Sequence, residues 1–146
     1  MPTAAKLVAA LLMAATGASA AEIVVLAMAE VRNVSWLPGF VALVGLFMGW
    51  TLTGDRVGRG YLGAVSMGLQ GMVMTVLGAL LGVSFAEMIA LALRRRYDAP
   101  MEALVDVVGL ALRFSEYLRD PRVLAMLLAG GIVTGVAAEW AARRWR

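Results

Sequence analysis

Residues 60–93 read GYLGAVSMGLQGMVMTVLGALLGVSFAEMIALAL, a run without proline in which Glu87 is the single charged residue. About 20 apolar residues are enough for a helix to cross the hydrocarbon core of a bilayer. This run is longer than that and contains no turn cluster. We therefore predict one tilted helix that protrudes from the membrane, in preference to a hairpin of two half-helices.

Three further apolar runs lie at residues 4–31, 38–52 and 121–142. Pro38 and Asp120-Pro121 mark helix starts, because proline suits the first helical turn and aspartate caps it. The run at 38–52 spans only about 22 Å as a helix, so it must stand upright or thin the bilayer. Together the runs predict an all-α integral membrane bundle of about four transmembrane helices, with residues 1–146 as a single domain.

Residues 98–118 have a different pattern, because their polar residues recur at steps of 3 and 4 and share one helical face. That face consists of Glu102, Asp106, Gly109, Arg113 and Glu116. It is mostly acidic, whereas helices that adhere to anionic lipid are normally basic. We predict one interfacial amphipathic helix that lies against its own protein, near Arg94–Arg96.

The composition excludes several classes of function. Of the 146 residues, 62% are hydrophobic and 16% charged, and the mean hydropathy is +0.83; soluble domains have roughly 45–50% and 25%. A chain without cysteine or histidine has no cysteine nucleophile, no Ser–His triad and no soft-metal ligands of these types. We expect no metal, no cofactor and no catalytic residues. The net charge of +3 comes from basic residues at segment ends, which suits lipid phosphates better than nucleic acid.

Small residues indicate where the helices pack. Lipid solvates apolar side chains, so helices associate in a membrane mainly through close backbone approach at small residues. The third run carries one stripe of small residues on a single helical face, namely Ala64, Gly68, Gly71, Thr75, Gly78, Gly82 and Ala86. The predicted packing glycines are Gly45, Gly49, Gly71, Gly78, Gly82, Gly131 and Gly135. The alternative is a chance alignment in a chain rich in alanine and glycine.

Polar residues inside the apolar runs are candidates for function. An ionisable side chain within the membrane is costly and points to a functional site. Glu22 could relay protons or contact a cation, or it is a carboxylate near a helix end that reaches the interface. Glu87 is expected at the same interface, and Gln70 is expected to hydrogen-bond another helix. Glu139 precedes Arg143 by four residues, which predicts a surface ion pair.

Two basic segments are candidates for anion binding. Residues 54–61 read GDRVGRGY, a tight turn whose glycine amides, with Arg56 and Arg59, could hold an oxyanion or a lipid phosphate. The turn is not a P-loop, because no Gly-Lys-Ser/Thr follows at the required spacing. The second segment is Arg94, Arg95 and Arg96.

The N-terminal residues resemble a signal peptide, with Lys6, an apolar run and the small residues Ala18-Ser19-Ala20. Apolar character resumes at once from Ile23, so we predict an uncleaved anchor. Four crossings would put both termini and residues 55–59 on one side of the membrane. That side carries 6 Lys and Arg and the other carries 7, so the positive-inside rule does not decide the orientation. The net charges of the two sides are +4 and −1, and we predict a cytoplasmic N-terminus.

Several separated stretches share a likeness to one family. They are MPTAAKLVAA (1–10), GRGY (58–61), RRRYD (94–98) with Pro100 and Glu102-Ala103-Leu104, and AEWAARRWR (138–146). Together they resemble the TrgA family, small alphaproteobacterial membrane proteins associated with tellurite resistance. The resemblance implies an inner-membrane location and a link to tellurite tolerance, but no mechanism and no catalytic residues. Residues 51–55 depart from the family's more basic turn, which weakens an anion site there.

Three functions are compared. The first is a non-enzymatic accessory or scaffold protein of the membrane. The second is a small oligomeric channel or transporter for an oxyanion or a proton. An enzyme that reduces tellurite is disfavoured, because no Cys or His is present to supply thiols or to ligate a redox cofactor. The expected partners are the lipid bilayer and either a second copy or another membrane protein; we expect no nucleic acid and name no small-molecule substrate.

Overall fold

A computed structural model of the chain describes residues 3–28, 35–54, 58, 60–93 and 100–145. Within these ranges the chain is almost entirely helical and forms no strand. The helices are α1 (Thr3–Met28), α2 (Leu37–Met48), α3 (Tyr61–Leu93), α4 (Pro100–Tyr117) and α5 (Pro121–Arg144). A short π-helical segment, Gly49–Thr53, continues α2. The predicted all-α class is confirmed.

Three helical segments are long and apolar enough to cross a membrane: Ala4–Ala27, Tyr61–Ala90 and Pro121–Arg144. A fourth apolar segment, Leu37–Thr53, is shorter than these. In the part of the chain that the structure describes, the predicted membrane bundle is thus confirmed as three long helices and one short one. The longest helix, α3, is continuous, as expected for a run without proline.

The helices next to α1 run antiparallel to it. Gly45 of α2 lies against Met13, and Gly49 lies against Ala10, so residue numbers rise along α2 as they fall along α1. The same opposite order relates α1 to α5, because Gly130 lies against Thr16 while Ala5 packs with Ala141.

The helices next to α3 are antiparallel to it as well. Gly82 and Gly78 of α3 lie against Phe40 and Val44 of α2, respectively. On the other side, Gly68 lies against Gly131 and Gly135 of α5. The four helices therefore form a ring in the order α1, α2, α3, α5, with every neighbouring pair antiparallel. The short helix α2 occupies a full place in this ring.

The four-helix part of the molecule ends near Val83, which packs with Ala21 and Leu37. Residues 61–83 of α3 measure about 34 Å as a helix, close to the roughly 30 Å of a bilayer's hydrocarbon core. Helix α3 then continues to Leu93 beyond this level, with α4 packed along it.

The amphipathic helix α4 contacts its own protein, as predicted, but through a narrow strip. Val107 is buried, whereas Val105, Val108 and Leu112 remain exposed. At its end, Tyr117 packs against the cluster around Val83. Among the described side chains of α4, these three aliphatic residues are therefore turned away from the bundle.

The closest helix crossing lies between α3 and α5. A Cβ atom added at Gly68 would collide with the carbonyl oxygen of Gly131, and one at Gly135 would collide with that of Ala64. Backbone atoms cannot move aside as a side chain can, so only glycine fits these two positions at this separation. Gly68 belongs to the predicted small-residue stripe but was not among the predicted packing glycines.

The contacts of α2 with α1 are almost as close. Added Cβ atoms at Gly45 and Gly49 would lie 2.8 Å and 2.7 Å from the carbonyl oxygens of Met13 and Ala9, respectively. These two glycines therefore let the backbones of α1 and α2 touch.

The other glycines of the α3 stripe face side chains. A Cβ at Gly78 would lie 3.1 Å from Val44 Cγ1, one at Gly82 would meet the Phe40 ring, and one at Gly71 would meet Met13 and Thr53. A rotamer change can relieve such contacts in part, so we rank Gly78 and Gly82 below Gly68 in their effect on packing.

We predict that Gly68→Ala destabilises the bundle by about 1–3 kcal/mol, the usual cost of overpacking a filled interior. Gly63→Ala is the matched control, because it lies on the same helix and a Cβ there has no described atom within 4 Å. It should gain about 0.5–1 kcal/mol from helix propensity. The measurement is unfolding by sodium dodecyl sulfate in mixed micelles, followed by circular dichroism. Equal midpoints for the two variants would contradict the assigned crossing.

Candidate functional site

A cluster of polar contacts lies at the end of the bundle where α1 begins and α5 ends. The π-helical segment brings Gly54 against α1, where an added Cβ would lie 2.6 Å from Lys6 Cα. From there the chain passes Gly58 and Gly60 beside the last turns of α5 and enters α3. Three segments far apart in sequence therefore meet at this end.

Glu139 is the centre of this cluster, and its side chain is 0% exposed. Its carboxylate accepts hydrogen bonds from the backbone N–H groups of Gly58, at 2.5 Å, and Gly60, at 3.2 Å. It also accepts one from Arg143 Nε at 2.9 Å. A buried carboxylate is tolerated only when its oxygens are satisfied in this way.

The predicted pair of Glu139 with Arg143 does form, but its placement at the surface was wrong for the carboxylate. The i,i+4 spacing within α5 predicts the pair. Glu139 is buried where Gly58 and Gly60 lie against it, and spacing within one helix contains no information about those two residues. Sequence reasoning therefore missed Glu139 as a site residue. The available signal was an acidic residue and a Gly-x-Gly turn predicted at the same end of the bundle.

The two glycines of the turn have backbone conformations that make the contact. Gly58 and Gly60 have φ of +101° and +116°, in the region that side-chain-bearing residues rarely adopt. Their N–H groups point to one carboxylate, in the manner of a backbone nest that binds an anion. The amides predicted to hold an oxyanion are thus occupied by the protein's own carboxylate. Arg56, Arg59, Arg94, Arg95 and Arg96 lie outside the described residues.

Aromatic side chains surround the cluster. The guanidinium of Arg143 lies 4.7 Å from the centre of the Tyr61 ring, and that of Arg144 lies 5.4 Å from the Trp140 ring. Trp140 and Trp145 are about half exposed and contact each other edge to face. Such a belt of Trp, Tyr and Arg is typical of a membrane–water interface.

The structure does not bring the three intramembrane polar candidates together. Glu22 is exposed on α1, whereas the adjacent Ala20 and Ala21 are buried in the bundle. Gln70 is exposed on α3, so its side chain faces away from the other helices, and the predicted hydrogen bond to another helix is not present among the described residues. Glu87 is half-buried on α3, beyond the level of Val83. Helices α1 and α3 lie diagonally across the ring, so Glu22 and Gln70 face opposite sides.

The interior of the bundle is apolar, with a few hydroxyl groups. Met13 is fully buried, and its sulfur accepts a weak hydrogen bond from Thr53 Oγ1 at 3.8 Å. The Thr75 hydroxyl donates to the Gly71 carbonyl oxygen at 2.9 Å. The buried hydroxyls of Ser84 and Thr134 have no partner among the described residues.

A cavity of about 70 Å³ lies between α1, α2, α3 and the start of α5, towards the end opposite to Glu139. Its walls are almost wholly aliphatic, and its hydroxyl-bearing residue, Thr75, already donates within its own helix. An apolar cavity of this kind is expected to stay dry. Within the described ranges, no group of three or more acidic, Cys or His side chains could hold a metal ion.

Comparisons with known proteins provide no relative from which a site could be transferred. No protein-family model matches the chain. Neither the curated proteins nor the solved structures include a significant match.

We predict that Glu139→Leu destabilises the protein by about 1–3 kcal/mol, because it leaves the amide donors of Gly58 and Gly60 without their acceptor. Arg143 is 53% exposed, so water can solvate its guanidinium in the variant. Glu139→Gln keeps one acceptor oxygen and should lose less. Arg144→Gln is the control, since Arg144 is exposed and contacts Trp140 but not Glu139. Thermal unfolding in detergent measures all three. A loss for Glu139→Leu no greater than that for Arg144→Gln would contradict the structural role of the cluster.

Proposed function

We propose that the protein is a non-enzymatic, multi-pass accessory or scaffold protein of a bacterial inner membrane that contributes to tellurite tolerance. The antiparallel ring supports four crossings, because α2 lies alongside the membrane-spanning part of α1 despite its length. With four crossings, both termini are on one side, which we propose is the cytoplasm. The resemblance to the TrgA family supports the inner membrane and tellurite.

The packing in the middle of the bundle is the observation that favours a scaffold over a channel. Met13 fills the space between Thr53 of the π-helical segment and Gly71 of α3. Next to it, the backbones of α3 and α5 touch at Gly68 and Gly135. A conducting path for an oxyanion or a proton would need polar groups and water along the bundle axis. Apolar side chains and backbone fill that region instead.

The location of the polar cluster around Glu139 also favours a scaffold over a transporter. Glu139 and the amides of Gly58 and Gly60 satisfy one another at an end of the bundle. Their geometry holds the α2–α3 link against α5, which is a structural task. A transport site would be expected near the middle of the membrane, between the helices.

We predict that residues 3 and 144 label from the cytoplasmic side and residue 35 from the opposite side. The chain contains no cysteine, so Thr3→Cys, Arg144→Cys and Ser35→Cys each introduce a single thiol. An impermeant maleimide should label Ser35→Cys in intact spheroplasts, and the other two only after lysis. The unaltered chain is the control. Labelling of residues 3 and 35 from the same side would refute four crossings. Separately, the intact mass of the purified protein tests the uncleaved anchor, and a mass that lacks residues 1–20 would refute it.

We predict that deletion of the gene lowers the minimal inhibitory concentration of tellurite and that the wild-type chain restores it. Proteoliposomes that contain the purified protein should take up tellurite and protons no faster than protein-free liposomes. Gly63→Ala should restore tolerance as the wild type does, whereas Gly68→Ala should restore less at matched expression. Unchanged tolerance in the deletion strain would refute the link to tellurite. Protein-dependent flux would favour the transporter instead.

A further inference from the structure

Glu22 occupies an unusual position for a carboxylate. It lies 6 residues before the end of α1 at Met28 and is exposed on the side opposite to the buried Ala20 and Ala21. Its neighbour Ala21 packs with Val83 at the level where the four-helix part ends, so Glu22 lies near the boundary of the roughly 30 Å hydrocarbon core. In a single copy, this carboxylate would face lipid.

Arg122 lies at almost the same depth on the neighbouring helix. Ala5 packs with Ala141, and Thr16 lies against Gly130. Between these two contacts the chain advances 11 residues along α1, from 5 to 16, and 11 residues back along α5, from 141 to 130. The two helices therefore keep a constant register. Extending it by 6 residues pairs position 22 of α1 with position 124 of α5. Arg122 is two residues away, about 3 Å along the axis, and a long guanidinium side chain spans that difference.

The side chain of Arg122 is free for such a contact. Arg122 is exposed, and its backbone N–H donates to Asp120 Oδ1 at 2.8 Å, which uses that carboxylate as the cap of α5. Among the described residues, neither the Glu22 carboxylate nor the Arg122 guanidinium takes part in an ion pair. In their described residues, the outer faces of α1 and α5 therefore present one anionic group, Glu22, and one cationic group, Arg122, at nearly one depth.

We propose that two copies of this chain form a two-fold dimer in the membrane through the outer faces of α1 and α5. In it, Glu22 pairs with Arg122 of the partner subunit. A two-fold axis along the membrane normal keeps equal depths level, so the contact occurs twice and each copy supplies both charges. The proposal rests on the membrane insertion proposed above, but not on the link to tellurite.

Charge complementarity favours a second copy as the occupant of this face. A partner of another sequence would need an acid and a base at matching depth, whereas a second copy presents both. The lipid-facing neighbours on the two helices are aliphatic, among them Leu11, Leu26 and Val133. They provide packing around the two ion pairs but no competing charge. Pairing removes a carboxylate from lipid, where its burial is costly.

The test is a reciprocal charge exchange, with the dimer measured by Förster transfer between labelled copies in lipid vesicles over a range of protein-to-lipid ratios. Glu22→Arg and Arg122→Glu, each alone, should raise the apparent dissociation constant about tenfold or more. The double variant Glu22→Arg/Arg122→Glu places opposite charges at both contacts again. Its apparent dissociation constant should therefore return to within about threefold of the wild-type value.

Three further variants and a folding measurement keep the result interpretable. Gln70→Leu removes the outward polar group of α3, on the opposite side of the ring, and should leave the dissociation constant unchanged. Glu22→Gln and Arg122→Gln remove one charge without reversing it and should weaken the dimer less than the reversals do. Circular dichroism on each vesicle sample establishes that the variant is folded.

Three results would overturn the proposal. The first is a wild-type chain that stays monomeric at every protein-to-lipid ratio. The second is a double variant that does not recover when both single reversals weaken the dimer. The third is a dimer that is lost in Gln70→Leu and kept in the reversals, which would place the interface on α3. None of these results bears on tellurite tolerance, so this proposal and the proposed function fail separately.

Discussion

The contact of the α3 and α5 backbones at Gly68, Gly131 and Gly135 is the constraint on which the rest of the structure depends. In a bilayer, moving an apolar side chain from lipid to protein gains little free energy. Helix association therefore depends on van der Waals contact between backbones and not on the hydrophobic effect. Such contact needs helices without side chains at the crossing. Once α3 and α5 approach this closely, Ala64 and Gly135 lie together at one end. That brings the start of α3, and the turn before it, to the last turns of α5.

The polar cluster follows from that placement. The turn reaches Glu139 because the helices on either side of it are held at a fixed distance, and Gly58 and Gly60 then adopt the positive φ values that turn their amides inwards. Burying an unpaired carboxylate at the edge of the membrane would cost free energy, whereas the hydrogen-bonded carboxylate of Glu139 holds Gly58 and Gly60 against α5. Arg143, Tyr61 and the neighbouring Trp residues complete an interfacial belt around it. The anion-binding geometry in the turn thus has a structural use.

The other charged positions have a different physical character. Glu139 is satisfied inside its own chain, whereas Glu22 is turned outwards with no described partner. The apolar interior, filled at Met13, agrees with a protein whose function depends on its outer surface and its ends more than on a path through it.

Much of the fold was predictable from the sequence, because its determinants are local. Length and apolarity specify which segments are membrane helices, Asp120-Pro121 specifies where α5 begins, and the lack of proline in residues 60–93 makes α3 continuous. The i,i+4 spacing specifies the pair of Glu139 and Arg143. Tertiary structure decided which glycine lies at the closest crossing, since Gly68 and Gly78 share one stripe and differ only in what the neighbouring helices place opposite them. It also decided that Glu139 is buried while Glu22 and Gln70 face outwards. Those outcomes depend on the rotation of each helix about its own axis and on where Gly58 and Gly60 meet α5. Both are set by contacts between residues far apart in the chain, and no single helix encodes them.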